Sequence, residues 1–234
     1  MKTWKILFWN LRRLGLGTDD ERKAAIQTVI KNTGAHYSFF CELTSAAAYP
    51  TPFLSKGLNP HQLCYGCVDD KAASVDLKQG QPLATPEFEA ANFKGGTNFA
   101  KLANRGLGML PLGGGATIYI IHAPAANSAA RKVMSYLACW ADAHHGAHNP
   151  YYLILGDFNI EPEDLEMTPA DIDMTAHIVS TSEPTYIGRN EDKFYDYVLT
   201  DRHTNPNTFC DRLRKSPRLH GSDHYPIYVE WTVP

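Results

Sequence analysis

The chain has 234 residues, 44% of them hydrophobic and 20% charged, with 22 Lys and Arg against 25 Asp and Glu. That length suffices for the core of one large domain, the apolar fraction excludes general disorder, and the lack of any apolar run near ~20 residues excludes a membrane-spanning helix. A net charge of −3 also excludes a uniformly basic coat for nucleic acid. Any grip on phosphate has to come from local patches or a bound cation.

Trp4–Trp9 is a short apolar run rich in β-formers and bounded by Asn10, which predicts a buried strand. Thr18-Asp19-Asp20-Glu21 is a capping box. Ile26, Val29 and Ile30 follow at helical spacing and Gly34 supplies a stop, so a helix is expected over about 19–33. His36–Cys41 is a second buried strand. Residues 46–115 are rich in Gly, Pro, Ala, Asn and Thr with weak periodicity, and predict short strands and long loops. Arg105–Leu110 and Thr117–Ile121 read as strands joined by the turn Gly113-Gly114-Gly115. Asn127 or Ser128 can cap a helix with Val133, Tyr136, Leu137 and Trp140 on one face, ending in His144-His145-Gly146. Tyr151–Leu155, Phe194–Thr200 and Ile227–Trp231 are the remaining clear strands. Strands and helices alternate with no linker or repeat, which predicts one α/β domain over residues 1–234, built on packed sheets.

The five cysteines, Cys41, Cys64, Cys67, Cys139 and Cys210, are too scattered for a disulfide scaffold. Cys64 and Cys67 have CxxC spacing but lack the second pair of a zinc knuckle, and read as a small disulfide or two plain thiols. Polar residues interrupt Met1–Asn10 and no signal-peptide core follows. The expectation is a cytosolic protein, one exported without such a signal, or a mature secreted form.

The informative pattern is where polar residues sit. Asn10 ends the first strand, Glu42 the second and His122 the Thr117–Ile121 strand. Asp157 and Asn159 follow Tyr151–Leu155 in Gly156-Asp157-Phe158-Asn159, Asp196 lies in Tyr195-Asp196-Tyr197-Val198, and Asp223-His224 precedes the last strand. Strand ends are where α/β folds tend to place their sites. Carboxylates and Asn are hard oxygen donors suited to Mg²⁺, and histidines move protons or donate to phosphate oxygens. A carboxylate beside a His fixes its tautomer and raises its pKa. The chemistry that fits is metal-assisted attack on phosphate. No nucleophile elbow, Walker loop or dinucleotide fingerprint competes with it. An Asp after a strand is, taken alone, more often a turn residue or helix cap. Gly-Asp-Phe-Asn and Gly-Ser-Asp-His-Tyr-Pro are longer and occur in a fixed order with Asn10 and Glu42.

Phe8-Trp9-Asn10, Cys41-Glu42-Leu43, Ile121-His122-Ala123, Gly156-Asp157-Phe158-Asn159, Asp196-Tyr197-Val198 and Ser222-Asp223-His224-Tyr225-Pro226 together resemble the deoxyribonuclease I-like endonuclease/exonuclease/phosphatase superfamily. Within it the chain looks most like the catalytic subunits of cytolethal distending toxins. That likeness rests on Trp9-Asn10-Leu11, Arg105-Gly106-Leu107-Gly108 and the run from Gly156 to Met167. The resemblance implies a four-layer α/β sandwich of two packed, mostly antiparallel sheets with helices outside. It implies that Glu42 ligates Mg²⁺, with Asn10 and Asp223 helping, and that Mn²⁺ or Ca²⁺ can substitute or assist. Asp157 and Asn159 would orient the attacking water and the scissile phosphate, His224 held by Asp196 would be the general base, and His122 would donate to a non-bridging oxygen. Arg105 would contact a phosphate. The resemblance leaves the acidic partner of His122 open among Asp76, Glu87 and Glu89.

Members of this superfamily act on different phosphates, so the fold does not settle the substrate. Arg212, Arg214, Lys215, Arg218 and His220 crowd before Asp223, and Arg12 and Arg13 follow Asn10. Both segments flank site residues, so a basic rim is expected around one mouth, with Arg12, Arg214 and Arg218 on phosphates; the bland alternative is a solvated loop. Backbone contacts carry little sequence information. The expected activity is therefore a nonspecific DNA endonuclease. A phosphoinositide phosphatase and a binding module that has lost its chemistry are the alternatives. Delivery or toxin-assembly subunits are possible partners, and membrane insertion is not expected.

Overall fold

Strands dominate because the apolar runs are β-branched and aromatic rather than helix-forming. The computed structural model describes residues 1–14, 28–29, 32–43, 53–54, 63–66, 78–79, 108–112, 114–123, 151–166, 177–201, 203–213 and 222–234. Among these, one six-stranded sheet has the order β13 (Thr208–Arg212), β14 (Ile227–Val233), β1 (Lys2–Leu14), β2 (Tyr37–Leu43), β4 (Leu63–Gly66), β3 (Phe53–Leu54). A second has the order β5 (Lys78–Gln79), β6 (Gly108–Pro111), β7 (Ala116–His122), β8 (Tyr151–Asp157), β12 (Asp196–Thr200), β9 (His177–Val179). A two-stranded hairpin joins β10 (Tyr186–Ile187) to β11 (Asp192–Lys193).

Both sheets are mixed. β1 runs parallel to β2 and β7 parallel to β8, while the other pairs are antiparallel. The sheets pack face to face through one apolar cluster. Trp4, Ile6, Phe8, Phe39 and Trp231 come from the first sheet, and Ile118, Ile120, Leu153, Leu155 and Val198 from the second. The opposite faces, with Leu7, Trp9 and Phe40 on one sheet and Tyr119, Ile121, Ile154 and Leu199 on the other, are buried too. Central strands covered on both sides must be apolar throughout, which is why they read as continuous runs. The outer layers are described only in part. Residues 28–29 and 32–33 are helical, within the helix expected over 19–33, and a short helix spans Pro162–Glu166. The helix expected after Asn127 lies outside the described residues, as does Cys67 of the CxxC pair.

Several strand limits differ from expectation. β1 does not stop at Asn10 but continues to Leu14, with its register against β2 shifting between Asn10 and Leu14. Such bulges absorb an extra residue and re-aim side chains near sites. β2 likewise runs past Cys41 to Leu43. β12 begins at Asp196 rather than Phe194, so this carboxylate opens the strand. The glycine turn is as expected: Gly114 and Gly115 have φ of 82° and 78°, the left-handed region open to glycine, and connect antiparallel β6 and β7.

Register carries the functional residues to one end of the sandwich. His122 pairs with Asp157 across β7 and β8, and Asp157 pairs with Asp196 across β8 and β12. All three share the parity of core residues on their own strands, so they face between the sheets. At the far end of β12, buried Asp201 takes the Tyr152 amide at 3.1 Å, the His203 and Thr204 amides at 2.8 and 3.0 Å, and the Thr204 hydroxyl at 2.6 Å. Those bonds satisfy a carboxylate that would otherwise be costly to bury.

Gly156 sits against Ile121 across the parallel pair, and a Cβ there would stand 1.8 Å from the Ile121 carbonyl oxygen. Gly156→Ala is therefore expected to push β7 from β8 and to cost about 3 kcal/mol. A thermal melt should read this as a midpoint lower by roughly 6–12 °C. An unchanged midpoint would contradict the close approach.

Candidate active site

Strand parity explains which side chains meet. Asn10 has the parity of Ile6 and Phe8 and points between the sheets, where its Nδ2 donates to Asp157 Oδ2 at 2.8 Å and to Glu42 Oε1 at 3.3 Å. One amide thus ties β1 to β8 across the sandwich. Glu42 follows the inward-facing Cys41, so simple alternation would send it outward. Its φ of 58° turns it back toward Asn10. Among the described residues the non-glycine positions with positive φ are Arg12 (45°), Glu42 and Asn159 (51°). All three belong to this site, and such conformations are costly for side-chain-bearing residues unless the surroundings hold them. The Arg12 amide donates to Asn10 Oδ1 at 2.9 Å, and the Asn159 amide donates to Asp157 Oδ1 at 3.0 Å. Asn159 Nδ2 also donates to the Ala123 carbonyl at 2.8 Å, which fixes the loop after β8 to the end of β7.

Both histidines approach Asp157. His122 Nε2 lies 3.5 Å from Glu42 Oε1 and 3.6 Å from Asp157 Oδ2. His224 Nε2 lies 3.7 Å from the same Asp157 oxygen, while its Nδ1 is 2.7 Å from Asp196 Oδ2. Burial alone would depress the His224 imidazole. The charges of Asp196 and Asp157 more than reverse that and raise it to about 9.

The segment carrying His224 is pinned by residues that periodicity does not single out. Trp9 Nε1 donates to the His224 carbonyl at 2.8 Å. Ser222 Oγ accepts the His224 amide at 3.1 Å and donates to the Asn10 carbonyl at 2.8 Å. In the sequence Trp9 reads as a strand aromatic and as part of Phe8-Trp9-Asn10, and Ser222 as part of the Ser-Asp-His run, with no role assigned to either.

Asn10, Glu42, His122, Asp157, Asn159, Asp196, Asp223 and His224 are thus brought to one end of the sheets. Asp223 meets Arg12, whose Nη1 is 3.1 Å from its Oδ2 and whose side chain is 58% exposed. Arg12 therefore stands at the site with part of its guanidinium toward solvent. Arg105, Arg214, Lys215, Arg218 and His220 lie outside the described residues, as do Asp76, Glu87 and Glu89 and the side chain of Arg13. Arg212 departs from the expected basic rim. It lies in β13, pairs with Glu183, donates to the Pro184 carbonyl at 2.9 Å and stacks over Tyr225 at 4.3 Å. A guanidinium so engaged clamps chain segments rather than facing an open mouth.

The donor set fits a divalent cation. Asp157, Asp196 and His224 place ligand atoms within 4.8 Å of one another, and such a buried group could hold a metal ion. Within it, however, His224 Nδ1 and Asp196 Oδ2 are already bonded to each other. Glu42 and Asp157, two carboxylates converging on one amide nitrogen, add hard oxygen donors beside it. Asp196 Oδ1 is buried with no hydrogen-bond partner among the described residues.

Comparison with known proteins bears on the fold. No family model and no curated protein matches the chain. Among solved structures, CdtB, the biologically active subunit of cytolethal distending toxin, matches with a TM-score of 0.60 and 17% identity over 97% of this chain and 96% of that one. The chain has the deoxyribonuclease I-like fold. An endonuclease/exonuclease/phosphatase from Bacteroides vulgatus covers 100% of both chains (TM-score 0.63, 13% identity). A 3'-5' exonuclease from Neisseria meningitidis matches 98% of this chain and 100% of its own (0.64, 13%). At these identities the likeness concerns the deoxyribonuclease I-like fold; it leaves the chemistry to the site.

The His224 charge is held mainly by Asp196. In metal-free protein, Asp196→Asn is expected to lower the His224 pKa from about 9 toward or below the ordinary value of 6.5, read by imidazole NMR titration. Because the folded pKa exceeds the unfolded one, the pair stabilises the native state fully below about pH 6.5. That margin fades as pH rises through 9, so the stability gap between wild type and variant should narrow over the same window. A His224 titration unmoved by the substitution would contradict the pairing.

Proposed function

We propose that the protein is a Mg²⁺-dependent phosphodiesterase acting as a DNA endonuclease with little sequence specificity. The observation that carries this reading is the Asp196–His224 pair aimed at Asp157, beside the Asn10–Glu42–Asp157 cluster and His122. A hydrolase of a phosphodiester needs a base for water, a donor for the phosphate oxygens and a means of offsetting developing negative charge. Each has a candidate here. In its neutral form, with Nδ1–H donated to Asp196, His224 presents Nε2 to take the proton from water; a cation beside Asp157 would offset part of the negative charge that raises the metal-free imidazole to about 9 and so favour that form. Asp157, with an oxygen 3.7 Å from His224 Nε2, can orient the water, and Asn159, whose amide holds the other Asp157 oxygen, is assigned to the water and the scissile phosphate on sequence grounds. His122 Nε2, 3.6 Å from Asp157 Oδ2, can donate to a non-bridging oxygen. Glu42, with Asp223 and Asn10, would hold the cation. When bound, the cation supplies positive charge to the phosphate oxygens. Arg12 adds an exposed positive charge at the rim, where backbone phosphates of a polymer would pass. The rest of that rim, Arg105, Arg214 and Arg218, belongs to the proposal on sequence grounds. The endonuclease/exonuclease/phosphatase and the 3'-5' exonuclease among the structural relatives support a phosphodiesterase reading through shared fold only.

In Mg²⁺ buffer the protein is expected to convert supercoiled plasmid to relaxed and linear forms, and EDTA to stop it. Parallel reactions with RNA and phosphoinositide separate the substrate classes. Intact plasmid at micromolar protein, with phosphate released from phosphoinositide, would replace the nuclease reading by the phosphatase one. His122→Ala and His224→Ala should each lower turnover by roughly 10²–10⁴-fold while keeping the wild-type circular dichroism. Near-full activity in either variant would remove that residue from its role.

A further inference from the structure

The hairpin beside the site presents a residue that bonds the Asp196 backbone and the backbone of Tyr225, next to His224. Thr185 has no exposed surface and makes three hydrogen bonds. Its hydroxyl accepts the Asp196 amide at 2.9 Å. Its carbonyl accepts the amide of Tyr225, the neighbour of His224, at 2.7 Å. Its own amide donates to the Lys193 carbonyl at 2.9 Å, which places it at the root of the β10–β11 hairpin. The two following residues continue the attachment. Tyr186 forms a β-bridge with His224, and Ile187 donates to the Asp223 carbonyl at 2.7 Å. The residues before it are anchored separately, because Arg212 holds Glu183 and the Pro184 carbonyl.

From this we infer that Thr185 is a positioning residue for the general base: it fixes the distance between the Asp196 and His224 backbones and so the geometry of the bond between their side chains. Asp196 opens β12, and its side chain reaches His224 only if the first residue of that strand is held in place. The strand ladder starts on the β8 side; on the other side β9 pairs only from Val198 onward, so the Asp196 amide is met by the Thr185 hydroxyl instead. The same residue then bonds the segment bearing His224. No other described side chain hydrogen-bonds the Asp196 amide while its own backbone bonds that segment. Valine has nearly the same shape as threonine but cannot accept a hydrogen bond, so it leaves a buried N–H unmet while conserving the packing. Residues that orient a functional group from behind typically change activity by ~10–100-fold when altered.

The inference rests on the nuclease reading, so its test carries a readout independent of turnover. Thr185→Val, Thr185→Ser and a control, Thr181→Val, are compared. Thr181 is a second buried threonine, whose hydroxyl donates to the Glu183 carbonyl at 2.7 Å, away from the pair. In metal-free protein, the downfield proton resonance of His224 Nδ1–H, assigned by its absence from His224→Ala, reports the bond to Asp196. Thr185→Val is expected to weaken or lose that resonance and to lower kcat on plasmid by roughly 10–100-fold, with KM within about twofold. Thr185→Ser should restore both, and Thr181→Val should retain both. The inference is overturned if Thr185→Val keeps the resonance and kcat, or if Thr181→Val loses them equally, since the effect would then be general loosening. Should Thr185→Val not fold, Thr185→Ser still decides: a serine variant that folds but loses the resonance refutes the hydroxyl's part. Plasmid left intact by the wild type refutes the nuclease reading, while the resonance in the three variants still judges Thr185.

Discussion

A carboxylate with no exposed surface survives in a folded protein only when charge or hydrogen bonds meet it, and Asp196 is met by His224. Much of the surrounding structure serves to bring these two side chains together. The antiparallel pairing of β12 with β8 sets Asp196 opposite Asp157. The antiparallel pairing of β14 with β1 returns the chain so that Ser222–His224 lies over the Trp9–Asn10 end of β1. Trp9 and Ser222 then hold the His224 backbone, and Thr185 holds that of Tyr225 beside it. The pair is thus a product of both sheets, and neither sheet alone could form it.

The same end of the sandwich gathers Glu42, Asp157, Asp196 and Asp223, against which the described residues set Arg12 and the His224 imidazolium. Asp157 and Asp196 are buried there, so their mutual repulsion is poorly screened. The amide of Asn10, bonded to two carboxylates at once, is a partial answer. A divalent cation is the fuller one. The overall charge of −3 therefore describes the molecule poorly: four of its 25 acids meet at one end of the sheets, with the partly exposed Arg12 beside them.

The strands that form the core were legible because burial on two faces forces unbroken apolar runs; β1, β2, β7, β8 and β14 could be placed from composition alone. The candidate site was legible for a related reason. A polar residue that ends such a run stands at the edge of the core, and six of these edges fall together when the sheets close. What escaped the sequence obeys other physics. β9, β10, β11 and β13 are two to five residues long, at most partly buried for the most part, and exist through pairing with neighbours rather than through their own pattern. The extension of β1 past Asn10 depends on a bulge, and the inward turn of Glu42 on a left-handed backbone, neither of which has a composition signature. Arg212 looked like part of a basic loop because its partners, Glu183 and Tyr225, are distant in sequence or separated by a turn. Thr185, Trp9 and Ser222 act on backbone groups of other segments, so no spacing rule announces them.

His122, Asp157 and Asp196 occupy three adjacent strands in continuous register. Side chains alternate between faces along each strand, so point substitutions in these strands act by degrees, through volume and contact. A residue gained or lost inside β7 or β8 acts differently. It rotates one functional side chain to the opposite face of its sheet while its neighbours stay in place. The interval between the start of each strand and its polar end is therefore a fixed count, and these strands can change their amino acids far more freely than their lengths.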